Sequence, residues 1–300
     1  MSIQYKIAEA KLNGSVKKEL YESLEQPQNR NDVPDFIHNK FDVEKLEFGE
    51  HCMFKIAPRK DPDKTAIMLI TGGAGFLPPN DLHFKTAAAL IKETNATIFI
   101  PFYPLAPKAT VRIALHYLQR AWSEILRDFL AQNVTFLGDG IGANLALGLC
   151  NRVNRKPGHI VAISPMPGIG QDAWKETFLE EEKNDPVLSM EMADKIESVW
   201  YRNIPQGSAD REVLCMPYKG FPPTLLIYGS KDMFSKSTDT LVQKIGENGA
   251  TVQILKKDMF HSWALRQNFP ETKIAMQQIA AFIGSGTHLE KAHTSDEKDE

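Results

Sequence analysis

An acid and an imidazole stand late in this chain, each in a setting that could move a proton. Asp232 closes the stretch L-I-Y-G-S-K-D, and His261 sits in D-M-F-H-S-W. Each follows a short apolar run, so each falls in a loop just beyond a strand. A carboxylate that orients an imidazole, which then takes a proton from a hydroxyl or a water, is a working unit of nucleophilic and general-base catalysis. The hydroxyl would be sought in Val134–Gly148, V-T-F-L-G-D-G-I-G-A-N-L-A-L-G. There an apolar run enters a glycine-rich turn that opens into an apolar helix, the grammar of a G-x-S-x-G turn presenting a serine. The five residues are Gly138, Asp139, Gly140, Ile141 and Gly142. The serine place holds Gly140, which has no side chain to attack with. Asp139 is not read as a displaced nucleophile, because neighbouring side chains on a sharp turn point different ways.

A second glycine-rich turn, I-T-G-G-A-G-F, follows the apolar run Ala66–Thr71. It resembles the phosphate-binding turn T-G-G-x-G-x-x-G of the extended short-chain dehydrogenases. Pro78 stands where that turn needs a glycine for close helix–strand packing. No tyrosine has a lysine four residues later, as those enzymes require. The first turn can likewise be set to G-x-G-x-x-A, but the strand after it ends at Ile163-Ser164 without the expected acid. Acyl transfer uses the same residues better. A glycine-rich loop after a central strand can aim backbone N–H groups at a developing oxyanion, and small residues let a substrate approach the backbone.

The elements that must position these groups follow from periodicity and punctuation. Phe41–Phe48 and Cys52–Ala57 read as a hairpin across Gly49-Glu50. Ala66–Thr71, Ala96–Ile100 (stopped by Pro101), Val134–Gly138, His159–Ser164, Thr224–Tyr228 and Thr251–Leu255 read as further strands. Helices are expected at Val16–Leu24, from a cap at Asp81 to Thr94, at Arg112–Leu130, from the glycine turn to Val153, at Ser237–Glu247 and at Thr272–Ile283. Strands alternating with helices predict a mostly parallel sheet covered on both faces. Residues 168–216 break the rhythm and read as a helical lid insertion. The domain is placed at 41–284, with residues 1–40 a segment that can belong to the lid and 285–300 a polar, disordered tail. In parallel sheets the site lies at the carboxyl ends of the strands, where Asp232, His261 and both glycine turns fall.

Bulk properties narrow the class. Three hundred residues with 42% apolar content can bury one sizeable core. A net charge of −3 offers no basic surface for nucleic acid. No apolar run reaches 18 residues, so no membrane span is expected. Three widely spaced cysteines, Cys52, Cys150 and Cys215, favour buried free thiols in a reducing, cytoplasmic setting.

Several motifs in order resemble the hormone-sensitive-lipase-like esterase/lipase branch of the α/β-hydrolase family. The branch's H-G-G-G-F corresponds to Gly72, Gly73, Ala74, Gly75 and Phe76, with histidine replaced by Gly72. Its Y-x-L-A-P, which shapes the site wall, corresponds to Tyr103–Pro107. The glycine turn, the G-x-x-D acid Asp232 and the loop histidine His261 follow in the family's order. N-D-P-V-L-S and G-F-P-P-T-L-L-I-Y-G complete a likeness over about residues 41–284. The resemblance implies an α/β-hydrolase fold and an Asp232–His261 dyad. It also implies oxyanion donors from Gly73, Ala74, Gly75 and Ile141, and a pocket lined by Phe76, Tyr103, Trp174, Trp200 and Trp263. It implies no cofactor and no metal. The ligand would be a small apolar ester or acyl-type molecule, bound by a nucleophile-deficient carboxylester hydrolase. Two other functions stay open: hydrolysis by water that His261 and Asp232 activate, and a non-catalytic interaction module. At residue level Asp232 also reads as a helix cap, His261 as a packing histidine, the tryptophans with Tyr201 as lid packing, and Ser164 as a locally bonded strand end.

Overall fold

A computed structural model describes residues 2, 15–25, 30, 32–266 and 268–293. The core is an eight-stranded sheet in the order β1-β2-β4-β3-β5-β6-β7-β8. The strands are β1 (Asp42–Phe48), β2 (His51–Ala57), β3 (Ala66–Ile70), β4 (Thr97–Phe102), β5 (Val134–Asp139), β6 (His159–Ile163), β7 (Thr224–Gly229) and β8 (Val252–Lys257). The β1–β2 and β2–β4 pairs are antiparallel, and every later pair is parallel. Strands β3 to β7 are buried along their whole length. That explains their unbroken apolar runs, since helices cover both faces of such strands. The chain passes from β3 to β4 on one side and then returns across β3 to β5 on the other. This reversal opens a crevice beyond the carboxyl ends of β3 and β5, where the two glycine turns emerge.

The helices α1 (Ser15–Ser23), α2 (Asp35–His38), α3 (Asp81–Thr94), α4 (Val111–Asp128), α5 (Ile141–Arg152), α6 (Asp172–Glu181), α7 (Met190–Lys195), α8 (Ser235–Glu247) and α9 (Pro270–His293) complete the order. Helix α4 shows the usual logic: Val111, Ala114, Leu115, Leu118, Ala121, Trp122 and Ile125 recur at helical spacing and are buried. Helix α5 is buried through nearly all its length. A Cβ on Gly138 would run into the carbonyl of Gly142, and one on Gly142 into that of Ile70. The outer glycines of the turn are therefore what lets α5 lie directly on β3 and β5. Among the described residues no helix is long and apolar enough to cross a membrane.

Several expectations needed correction. The cap of α3 is Asn80, whose side chain accepts from Leu82 N, and Asp81 is the first helical residue. Strand β4 runs through Pro101 to Phe102. It pairs with β3 only at residues 97–99, so the missing proline N–H breaks no bond on that side. Helix α9 is described to His293, and residues 294–300 of the expected tail lie outside the described residues. Cys52 and Cys150 are buried and Cys215 is exposed, all three as free thiols.

The stretch 168–216 between β6 and β7 holds α6, α7 and a π-helical turn, Ile196–Trp200. Lys17 of α1 donates to the Glu182 carbonyl at 2.8 Å, and Lys195 pairs with Glu25 at 2.7 Å. The amino-terminal segment is thereby tied to this insertion.

Candidate active site

Gly140 links β5 to α5 with φ 53° and ψ −123°, backbone that a residue with a Cβ adopts only under strain. Its N–H donates to Ile163 O at 2.9 Å. Its carbonyl accepts from Ala143 and Asn144, which starts the helix. A Cβ at Gly140 would lie 3.4 Å from His261 Nε2, with Met166 Sδ at 4.0 Å. A side chain carried here would therefore point at the imidazole. Asn144 fixes Met166 by exchanging two hydrogen bonds with its backbone, both 3.0 Å. The Ile141 N–H opens the first turn of α5 and has no acceptor inside the helix.

His261 Nδ1 and Asp232 Oδ2 are 3.0 Å apart, and both side chains are buried. The carboxylate only accepts, so Nδ1 donates and Nε2 is left facing Gly140. The second Asp232 oxygen accepts from Phe234 N at 3.0 Å. The acid thus bonds the turn entering α8 and orients the imidazole as well. Asp185, the aspartate of N-D-P-V-L-S, completes the cluster. One of its oxygens accepts from Val187 N and Leu188 N, and the other from Met233 N. Burial, then repulsion from Asp232, pushes the Asp185 carboxyl up to about 6. For His261, burial works to lower the pKa, but the charge and hydrogen bond of Asp232, with Asp185 and Asp139 behind them, leave it raised.

One ligand atom from each of Asp185, Asp232 and His261 lies within 4.8 Å of the others, close enough to hold a cation. The chemistry of the donors does not fit one. Both oxygens of each carboxylate already accept hydrogen bonds from N–H groups, and His261 Nδ1, as the donor to Asp232, has no lone pair to offer a cation. The loop behind it is held by Ser164, whose hydroxyl accepts from Ser262 N at 2.9 Å. Ser164 is therefore not bonded only locally: with φ 44° it reaches across to the histidine loop.

The loop after β3 has three successive residues at positive φ: Gly73 (88°), Ala74 (59°) and Gly75 (80°). It is braced from several sides. Asp139 Oδ1 accepts from Gly72 N at 2.9 Å. His83 accepts from Asn80 N through Nδ1, which leaves Nε2–H facing Asp139 Oδ1 at 3.4 Å. The Tyr103 hydroxyl donates to the carbonyls of Thr71 and Gly72, and Ala106 N donates to Gly75 O at 2.8 Å. Trp200 covers the far side: a Cβ on Gly75 would meet its ring at 2.6 Å.

The fold thus brings Gly140, Asp232, His261, Ile141 and the Gly73–Gly75 loop to one crevice, with Trp200 and Tyr103 against the loop (ring centroids 6.3 Å apart). Phe76 is buried and its N–H donates to Gly73 O. Trp174 stacks on Phe178 at 6.0 Å and packs on Gly168, while Trp263 is fully buried in the turn after His261. Ser164, Asp185, His83 and the role of Asp139 were not legible as site features. Only the N-D-P-V-L-S motif signalled one of them.

A family model described as alpha/beta hydrolase fold matches residues 67–265. An esterase of Acinetobacter venetianus is 27% identical over 234 residues, covering 73% of this chain and 74% of that one. A triacylglycerol lipase of Mycobacterium tuberculosis is 25% identical over 210 residues, covering 68% of this chain; the chain spans 43% of that protein's length. Among solved structures, EstE5 soaked with ethyl alcohol superposes with a TM-score of 0.81 at 17% identity, covering 95% of this chain and 99% of that one. At that identity the likeness speaks for the fold. With the sheet order, the glycine turns and the family match in agreement, this chain belongs to the α/β-hydrolase family.

Proposed function

We propose that this protein is a carboxylester-hydrolase relative without its nucleophile, retaining a site that binds an acyl-type ligand. The observation that carries the reading is the direction of the Cβ position at Gly140, 3.4 Å from His261 Nε2. A serine hydroxyl on that Cβ comes within hydrogen-bond reach of a base already oriented by Asp232. Ile141 N–H and the Gly73–Gly75 loop then stand as oxyanion donors. The amino-terminal segment, tied to the insertion through Lys17 and Glu25, acts as part of the lid.

The test is an assay of p-nitrophenyl acetate and butyrate with the protein, Gly140→Ser, and Gly140→Ser/His261→Ala. Serine variants of a well-studied protease lose about 10⁶ in kcat. Restoring the hydroxyl here is expected to raise the rate by at least about 10³, and the double variant to lose that gain. A folded Gly140→Ser protein that stays inert would sink the reading. Any weak turnover by the unmodified protein that vanishes in His261→Ala marks water in the serine's place.

A further inference from the structure

We propose that Ser164 is a positioning residue: its hydroxyl keeps the His261 imidazole aimed at position 140. The proposal rests on the reading of Gly140 given above and adds a member to that same site.

Ser164 follows the last residue of β6 and is fully buried. It stands where the ends of β5, β6 and β7 meet the histidine loop. Just before it, Ile163 O accepts from Gly140 N at 2.9 Å, which ties β6 to the turn after β5. The N–H of Ser164 donates to Ile227 O at 2.7 Å, which ties it to β7, the strand that leads to Asp232. Its hydroxyl accepts from Ser262 N at 2.9 Å, which ties it to the residue after His261. Two consecutive residues thus register the nucleophile position, the acid strand and the histidine loop against one another.

Two other ties on the histidine loop run in a different direction. Lys231 N donates to Met259 O at 3.0 Å, and His261 Nδ1 donates to Asp232 at 3.0 Å. Both join this loop to the loop after β7, so they hold the imidazole to its acid. Neither holds the pair to Gly140. The bond from Ser262 to Ser164 does, because it ends on the strand whose last carbonyl holds Gly140 N. It therefore bears on the 3.4 Å between Nε2 and the Cβ position at Gly140. Without it, acid and base would stay bonded and shift together.

Backbone conformation marks the same contact. Ser164 has φ 44° and Ser262 φ 54°, a region that residues with a Cβ enter at a cost. Glycine would sit at 164 without that cost, but it has no oxygen for the Ser262 N–H. Alanine keeps the cost and lacks the oxygen too. Serine is small enough for a fully buried place and supplies the acceptor. Ser164→Gly removes strain and bond at once, so its two effects on stability oppose each other. Its effect on the aim of the imidazole is unopposed.

The experiment has two arms. The first compares the full chain with its Ser164→Gly variant by NMR. Amide exchange at Ser262 should be at least about tenfold faster in the variant. The His261 Cε1–H signal should shift, while the low-field Nδ1–H proton shared with Asp232 persists. The second arm adds Gly140→Ser and assays p-nitrophenyl butyrate. There Ser164→Gly should lower kcat about 10²-fold, the penalty of a reacting group misplaced by about 1 Å, with KM and the pH profile nearly unchanged. Ser164→Cys, which keeps an acceptor of similar shape, should recover most of that rate. Ser164→Ala serves both arms if the glycine variant does not fold. Unchanged Ser262 exchange with unchanged His261 signals would overturn the proposal. Loss of the Nδ1–H proton would overturn it as well, because Ser164 would then support the dyad itself rather than its aim. If Gly140→Ser is active and indifferent to the residue at 164, this inference fails and the proposed function stands. If Gly140→Ser is folded but inert while the first arm gives the expected changes, the function fails and Ser164 stands as the residue that places the imidazole.

Discussion

At the scale of the residue, Gly140 occupies a backbone conformation that a side chain would strain. Its φ of 53° suits glycine, and its Cβ position clashes with nothing nearer than 3.4 Å. Gly140→Ser should therefore fold, at a cost of about 1–3 kcal/mol from the strained turn alone, measurable by urea denaturation. The buried acid–imidazole cluster adds a pH dependence. Asp185 is raised from 3.8 to about 6, so its contribution is full below 3.8 and is lost as pH rises through about 6. His261 is raised above 6.5, so its contribution is full below 6.5 and is lost as pH rises through its folded value. Both act in one direction, and stability should fall across this range. Asp185→Asn should flatten the acid part of that slope whatever it does to absolute stability; an unchanged slope would mean Asp185 titrates normally. His83 acts through Asp139 on the Gly72 N–H, so it is a positioning residue. In a Gly140→Ser background, His83→Phe should lower kcat about tenfold with KM nearly unchanged, as expected when donors to a developing charge lose their aim.

At the scale of the element, close approach governs the outcome. Helix α5 lies against β3 with the Cβ position of Gly142 inside the Ile70 carbonyl. Backbone cannot yield as a flexible side chain does, so Gly142→Ala should cost about 3 kcal/mol and displace the Ile141 N–H as well. The insertion is held by a buried ionic group, Arg211 between Glu197 and Glu212. Burial raises the Glu197 pKa while Arg211 pulls it down. Arg211→Met leaves the carboxylates without their counter-charge and should cost about 3 kcal/mol at neutral pH. Part of that loss should return on acidification, as Glu197 takes up a proton. Denaturant titrations at two pH values decide it: an equal loss at both would show that packing, not charge, holds the insertion.

At the scale of the whole molecule, the site exists because the sheet reverses its strand order at β3, which opens the crevice between the loops after β3 and β5. The covering of that sheet can be read from its thiols. Cys52 and Cys150 are buried and Cys215 is exposed, and burial pushes the Cys150 thiol up to about 12. One thiol per native chain should react with a mild disulfide reagent, rising to three on unfolding. Two or more reacting in the native state would contradict this packing.

What the amino-acid order determined was local. Unbroken apolar runs marked strands covered on both faces. Helical spacing marked α4, and the Gly138–Gly140–Gly142 spacing marked a turn where backbone meets backbone. These signals lie within a few residues of one another, so they survive without knowledge of the fold. The motif order also placed Asp232 and His261 in strand-end loops. What only the tertiary structure decided was which distant groups meet: Ser164 with Ser262, His83 with Asp139, Asp185 beside Asp232, and Trp200 on Gly75. Each joins segments separated by tens of residues, and no local periodicity encodes such a meeting. Boundaries moved for the same reason. Pro101 could stay in a strand because the pairing on that side had already ended, and a strand's pairing is a property of the sheet rather than of its own residues.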